Sequence, residues 1–344
     1  MCEFVMNPFI TLLLYSSAVY YGCVESRAYL ATTSRQLRDY LRIVSPGDTI
    51  QLRDGYYSGS FVANRIGRAN APIRLVGSAR AVLSNRGGTG LYLTGQYWHL
   101  RGFTVSGCRR GIAIQNGKNN LLERVSLRNM DEEGVTIRQD SDANTIRSCI
   151  IYRTGIRAQQ NGYGIVIGSD YRQGFRGYVD RSDGNVIVNN NIQTGAAAEA
   201  VHVKAGTCCG AVRENVFDGR AITVPNNVQA FNRLWVSVNG NNYQIDRNSG
   251  RTTAADGFRV RMSDDIDGLR TGGESGSDRD YNSDDDNNIE IQGCGNRFSG
   301  NRCEANTNGY CIRVINPNRC RIAIYSDNTV AGGIGLSNVG LTNL

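Results

Sequence analysis

The chain has 344 residues, a formal charge of +7, 40% hydrophobic and 20% charged residues, 41 glycines and only five prolines. That mix suits a soluble globular protein built from strands and turns, and argues against a mainly helical one. No dense basic run or nucleic-acid-binding motif is present, so the positive surplus is read as suiting another anion, such as a polysaccharide.

Residues 1–26, "MCEFVMNPFITLLLYSSAVYYGCVES", hold an apolar core from Phe9 to Tyr21 followed by small and polar residues. This reads as a secretory signal, too short for a membrane span. The expectation is a secreted, extracellular, monomeric protein with no membrane attachment once the signal is removed, and a single domain over 27–344. Segment 33–45 predicts a helix: Thr33 or Ser34 can cap it, Leu37, Leu41 and Val44 share one face, and Pro46-Gly47 ends it. "DTIQLRDG" then reads as a strand.

From residue 119 onward the chain repeats itself. "NNLLERVSLRNMDEEGVTIRQ" (119–139), "ANTIRSCIIYRTG" (143–155), "GNVIVNNNIQTGAAAEAVHVKAG" (184–206), "GNRFSGNRCEANTNGYCIRVIN" (295–316) and "NRCRIAIYSDNTV" (318–330) share one loose form. An asparagine is followed by apolar residues, a turn and a short alternating strand. Asn120, Asn144, Asn185, Asn296 and Asn318 mark the beat, and the shortest spacings are 24 and 22 residues. A period in the low twenties with short strands and Gly/Asn turns signals a solenoid, and the leucine-dense consensus of leucine-rich repeats is absent. The prediction is an all-β, right-handed parallel β-helix whose first coil is covered by the helix at 33–45. Stacked asparagines satisfy one another along its axis. A β-sandwich with turn asparagines is the rival. Loop insertions are expected at about 169–183 and 263–288; the second is acidic but lacks EF-hand spacing and reads as a solvated loop.

Ten cysteines are present, of which Cys2 and Cys23 fall in or beside the signal. The remaining even number argues for disulfides in a secreted chain, with Cys294, Cys303, Cys311 and Cys320 stapling the C-terminal end. A zinc site is the competing reading, disfavoured because no C-x-x-C pair exists and both histidines are remote. Cys208 and Cys209 could bridge each other or two other cysteines.

Five strands align after the turn: "EGVTIR" (133–138), "YGIVIG" (163–168), "EAVHVK" (199–204), "DGFRVR" (256–261) and "YCIRV" (310–314). Their alternating apolar residues face inward, so the residues between face outward. The outward set is Thr136, Arg138, Val166, Gly168, His202, Lys204, Arg259, Arg261 and Arg313. It forms a stripe of cations with a small-residue gap at Val166 and Gly168, and Glu133, Glu199 and Asp256 lead into the same strands. The stripe fits an extended anionic polymer; a plainly solvated sheet is the bland alternative. Of 38 cationic side chains only Lys118 and Lys204 are lysine. Arginine keeps its proton at accessible pH, whereas a lysine among cations and partly buried can lose it and act as a general base.

The stretch "EAVHVKAGTCCGAVRENVF" resembles the active-site coil of polysaccharide lyase family 6, the chondroitinase B and alginate lyase group, with a Glu and a Lys five positions on. "PGDTIQLRDGYY" is similar to the N-terminal coil of that family and of other β-helix proteins. The resemblance implies β-elimination on a uronic acid polymer. Lys204 would be the base, with Glu199 a calcium ligand and Asn190 a second one. His202, Arg259 and Arg261 would complete the catalytic set, and Arg138 and Arg313 would bind substrate. Two departures stand out. Ala197 occupies the place of the family's other acidic ligand, and 235–242 offers Val238 where the family has an arginine.

Other chemistries fit less well. Pectin-type hydrolases need clustered aspartates on one strand face, and the outward face here is basic. The several calcium aspartates of pectate lyases are not apparent. His99 reads as a structural strand residue, and His202 has no serine partner for a nucleophilic triad. The serious alternative is a non-catalytic glycan-binding or surface β-helix protein, which would keep the basic stripe without needing a titratable lysine.

Overall fold

The computed structural model describes residues 26–157, 162–169, 179–193, 199–219, 234–253, 255–263, 292–304 and 309–343. Residues 1–25 of the expected signal and most of the two expected loop insertions lie outside these. The described strands form three parallel sheets of eleven, ten and ten strands. Strands three apart in sequence pair within one sheet, so each coil gives one strand to each sheet and coils stack rung on rung. This is a parallel β-helix. The alternating pattern read from the sequence decides which side chains enter it: Val135, Ile137, Ile165, Ile167, Val201, Val203, Phe258, Val260, Ile312 and Val314 all lie in one continuous core.

The helix Ser34–Ile43 covers the first coil. Thr33 caps it by accepting from the Gln36 N–H, and Leu37, Leu41 and Val44 are buried. The cap thus shields core that an open solenoid end would expose.

Two buried asparagine ladders run along the axis. Asn120, Asn144 and Asn185 form the first, with side-chain amides 3.0 and 3.1 Å apart. The second links Asn190, Asn215, Asn248, Asn301 and Asn328. Each second-ladder asparagine from 190 to 301 follows a residue at positive φ: Asn189, Glu214, Arg247 and Gly300. The left-handed residue turns the chain sharply inward and places the next amide inside, where the coil above satisfies it. Asn318 is exposed and belongs to neither ladder; the 22-residue spacing from Asn296 is a coincidence of two turns.

Among the described residues three disulfides form, Cys208–Cys209, Cys294–Cys320 and Cys303–Cys311. The last two hold the C-terminal coils as expected. The even count does not mean full pairing, because Cys108 and Cys149 are free, buried thiols in the core.

Candidate functional site

The ten-stranded sheet that holds Lys204 contains, in stacking order through the site, the strands Val135–Arg138, Ile165–Ile167, Val201–Val203, Val236–Val238, Phe258–Arg261 and Tyr310–Ile315. Its register puts Thr136, Val166, His202, Ser237, Arg259 and Arg313 in one outward row. Lys204 stands two residues beyond His202, with its N–H donating to the Ile167 carbonyl. Just before each strand, space is tight. A Cβ at Gly134 would meet the Gly164 carbonyl oxygen at 2.6 Å, and one at Gly164 would meet that of Ala200 at 2.5 Å. The residues ahead of these glycines are therefore held at fixed points at the rim of the sheet.

Lys204 points away from the core, as its alternation with Val203 requires, but it is not solvated. It is only 7% exposed, and His202 only 9%. The partial burial expected of Lys204 among its cationic neighbours is thus nearly complete, and the stripe is not evenly exposed. The outward row is buried from Thr136 to Ser237, whereas Arg261 and Arg313 at the C-terminal coils are exposed. The Lys204 stem lies over Gly168, where an added Cβ would come within 2.9 Å of Lys204 Cβ. Its ammonium sits 5.5 Å from the centre of the Tyr163 ring, a cation–π distance. The backbone after it is fixed: the Thr207 hydroxyl donates to the Lys204 carbonyl and accepts from the buried Tyr243 hydroxyl.

Tyr163 was not singled out by sequence reasoning. It occupies, in its own coil, the position that Glu133 and Glu199 occupy in the neighbouring coils, and that shared register is the signal that could have found it. Tyr163 packs with Val166 outside the main core and meets the His202 ring edge-on at 5.1 Å.

The structure groups Glu199, His202, Lys204 and Arg259 together. Glu199 Oε1 lies 3.5 Å from Arg259 Nη2, and Glu199 Oε2 lies 3.8 Å from His202 Nδ1. Burial, first, and then the charges of Lys204, Arg259, Arg261 and Arg138 hold His202 well below the ordinary histidine value of 6.5. His202 is therefore neutral at neutral pH, and its contact with Glu199 is no ion pair. Both of its ring nitrogens lack a hydrogen-bond partner among the described residues. Burial pushes the Glu199 carboxyl up, opposed by a backbone hydrogen bond and by Arg259 and Lys204. Burial likewise draws Arg259 down, with Glu199 opposing it.

Arg138 is tied elsewhere. Glu133, 3% exposed, is clamped between Arg138 at 3.2 Å and Arg110 at 2.7 Å. Arg313 approaches Asp256 at 4.0 Å, and the Asp256 carboxylate also accepts from the Tyr310 N–H. Arg261 is exposed at the end of its strand.

Asn190 is not a metal ligand. It is a rung of the second ladder: its oxygen accepts from the Cys149 N–H, and its amide nitrogen donates to the Ile146 carbonyl and to Asn215. Calcium takes about six to eight oxygen ligands. Here each carboxylate at the face is matched by an arginine, Asn190 is spent inside the barrel, and no three metal-binding side chains gather among the described residues. Ala197, the place of the family's other acidic ligand, lies outside those residues. The donors described do not fit calcium.

The likenesses to known proteins agree with this fold. The model of the Pel9A-like, right handed beta helix region matches residues 21–191. The chain is a right-handed parallel β-helix resembling polysaccharide lyases. The alginate lyase from Paenibacillus sp. str. FPU-7 superposes with a TM-score of 0.75 at 27% identity, over 92% of this chain and 99% of that one. Pectate lyase Pel9A gives 0.57 at 15%, over 90% and 79%. The GH136 lacto-N-biosidase from Eubacterium ramulus gives 0.58 at 12%, over 92% and 67%. At such identities the last two show the fold alone, and since lyases and a biosidase share it, the reaction has to be argued from the site. No curated protein matches the chain.

Proposed function

We propose that the chain is a secreted polysaccharide lyase that cleaves a uronic-acid polymer by β-elimination, with Lys204 as the general base. One observation carries this reading. The lone lysine of the repeat region's outward face is buried against Tyr163, beside a neutral histidine whose buried ring nitrogens have no hydrogen-bond partner among the described residues and an arginine that faces the same carboxylate. A sheet that only needed positive charge for solvation would leave such groups exposed, as it does at Arg261 and Arg313.

In this reading the polymer lies across the outward row. Lys204 takes the proton from the carbon next to the uronate carboxylate. The electron pair left behind forms the carbon–carbon double bond as the bond to the glycosidic oxygen breaks. The Lys204 ammonium just formed returns its proton to that oxygen from the same face. His202, neutral, hydrogen-bonds a sugar hydroxyl, and the exposed Arg261 and Arg313 hold carboxylates further along the chain. The likeness to the alginate lyase supports a polyuronate as the substrate class. Three disulfides support folding in an oxidising, extracellular compartment, and among the described residues no helix is long and apolar enough to cross a membrane.

The test is absorbance of the unsaturated product on alginate, chondroitin, dermatan and pectate. Lys204→Arg keeps the charge but removes the titratable base. It is expected to lower the rate by about 10²–10⁴-fold, the usual worth of a positioned base, while polymer binding stays. Activity persisting in that variant rejects the base. No cleavage of any polymer by the parent chain, with binding intact, points to a glycan-binding protein instead.

A further inference from the structure

An elimination next to a carboxylate needs that carboxylate neutralised, because negative charge builds on it as the proton leaves. The resemblance assigns this to calcium, and the donors on this face do not support one. They show a recurring substitute. At the start of the strands, Glu133, Glu199 and Asp256 each face a guanidinium, from Arg138 at 3.2 Å, Arg259 at 3.5 Å and Arg313 at 4.0 Å.

The three pairs are not equivalent. Glu133 is held from both sides by Arg110 and Arg138, which closes that pair. Arg313 is exposed and lies one coil further from Lys204 than Arg259 does. Of these three arginines, Arg259 is the one that reaches back into the Lys204 coil. Register places Ser237 between His202 and Arg259, and this short side chain leaves room for the guanidinium to cross a rung and meet Glu199. Of the arginines that could stand in for the one the family places on the next coil (Arg259, Arg261 or Arg138), Arg259 reaches Glu199 over a serine.

We propose that Arg259, positioned by Glu199, receives the uronate carboxylate in place of a metal ion, so that cleavage proceeds without calcium. The inference rests on the lyase reading above. A guanidinium offers a planar pair of donors matched to a carboxylate, and in a buried setting its charge is screened less than it would be in water. Glu199 aims it: the Glu199–Arg259 contact holds the guanidinium toward the coil that carries His202 and Lys204. No covalent change occurs at Arg259, which stays protonated throughout.

The experiment uses the full secreted chain and two readouts, product absorbance and polyuronate binding by affinity electrophoresis. Each is run with excess EDTA and with added calcium. The parent chain is expected to cleave and bind equally in both. Arg259→Ala is expected to lose about 10²–10³-fold in rate, the scale of a lost charge-stabilising donor, without rescue by calcium. Arg259→Lys is expected to recover part of the loss. Glu199→Gln, a near-isosteric change, is expected to raise KM more than it lowers kcat, because it loosens the aim without removing the charge. A parent chain that EDTA silences and calcium restores overturns the proposal. So does an Arg259→Ala protein that is folded by its melting curve yet cleaves normally. If the parent cleaves nothing, the lyase reading fails by itself, and binding then decides: Arg259→Ala weakening EDTA-treated binding about tenfold keeps the carboxylate seat, and unchanged binding removes it.

Discussion

Two polar arrays run through the same coils, an asparagine ladder inside the barrel and a row on the outer face of one sheet, and they differ in one respect. In the second asparagine ladder the chain supplies every partner: Asn190 accepts from one backbone N–H and donates to a carbonyl and to the next rung. On the outward row, His202 is also buried, yet neither ring nitrogen has a hydrogen-bond partner among the described residues. A buried polar group left open costs free energy that a satisfied one does not. The closed array is scaffold, and the reading proposed above puts the ligand at the one whose histidine has no partner among the described residues.

That contrast can be broken from the inside. Asn215→Ala removes the group that accepts from the Asn190 N–H and donates to the Ile187 carbonyl and Asn248. Leaving several buried groups unpaired is expected to cost about 3 kcal/mol or more, measured by denaturant unfolding. Cleavage per folded molecule is expected to persist. If Asn215→Ala unfolds no more easily than the parent chain, the ladder is not a closed structural array.

A smaller effect sharpens the outer array. The folded chain keeps His202 below 6.5, so the stability this gives is present above 6.5 and is lost as pH falls below it, because the fold resists the proton that the unfolded chain accepts. Glu199, pushed up, acts in the opposite sense closer to the carboxylate range. Between pH 6.5 and 5.5 the parent chain is therefore expected to lose up to about 1 kcal/mol relative to His202→Gln. Equal slopes for the two proteins would show that His202 charges freely in the fold.

The smallest effect concerns the sealed interior. Burial pushes the Cys108 thiol up to about 11 and the Cys149 thiol up to about 12. Iodoacetamide at mildly alkaline pH is expected to label neither until denaturant is added, because the reactive form is the thiolate. Mass spectrometry of the native chain finding either cysteine alkylated would show that the core opens readily.

The coil architecture was legible because period-2 alternation in "EGVTIR", "YGIVIG" and "EAVHVK" is a local signal. The site was legible only in part. Lys204 and Glu199 stood out by type and spacing, but their burial depends on neighbours in other coils, above all Tyr163, whose register emerges only once insertions of unequal length are threaded. Asn190 illustrates the converse. An asparagine that closes a ladder and one that ligates a metal look the same in the sequence, and only what its amide meets separates them. Asn318 shows that spacing alone, without the preceding left-handed turn, misplaces a rung.

Ser237 has a consequence for how such a surface can change over evolutionary time. Backbone bonding fixes neighbouring rungs at about 4.8 Å, so distances between groups on this face come in steps rather than in a continuum. Small residues such as Ser237 and Gly168 act as skipped steps that let a long side chain span two. A new sugar spacing could then be reached by shortening one side chain and lengthening another, with the stack beneath left untouched.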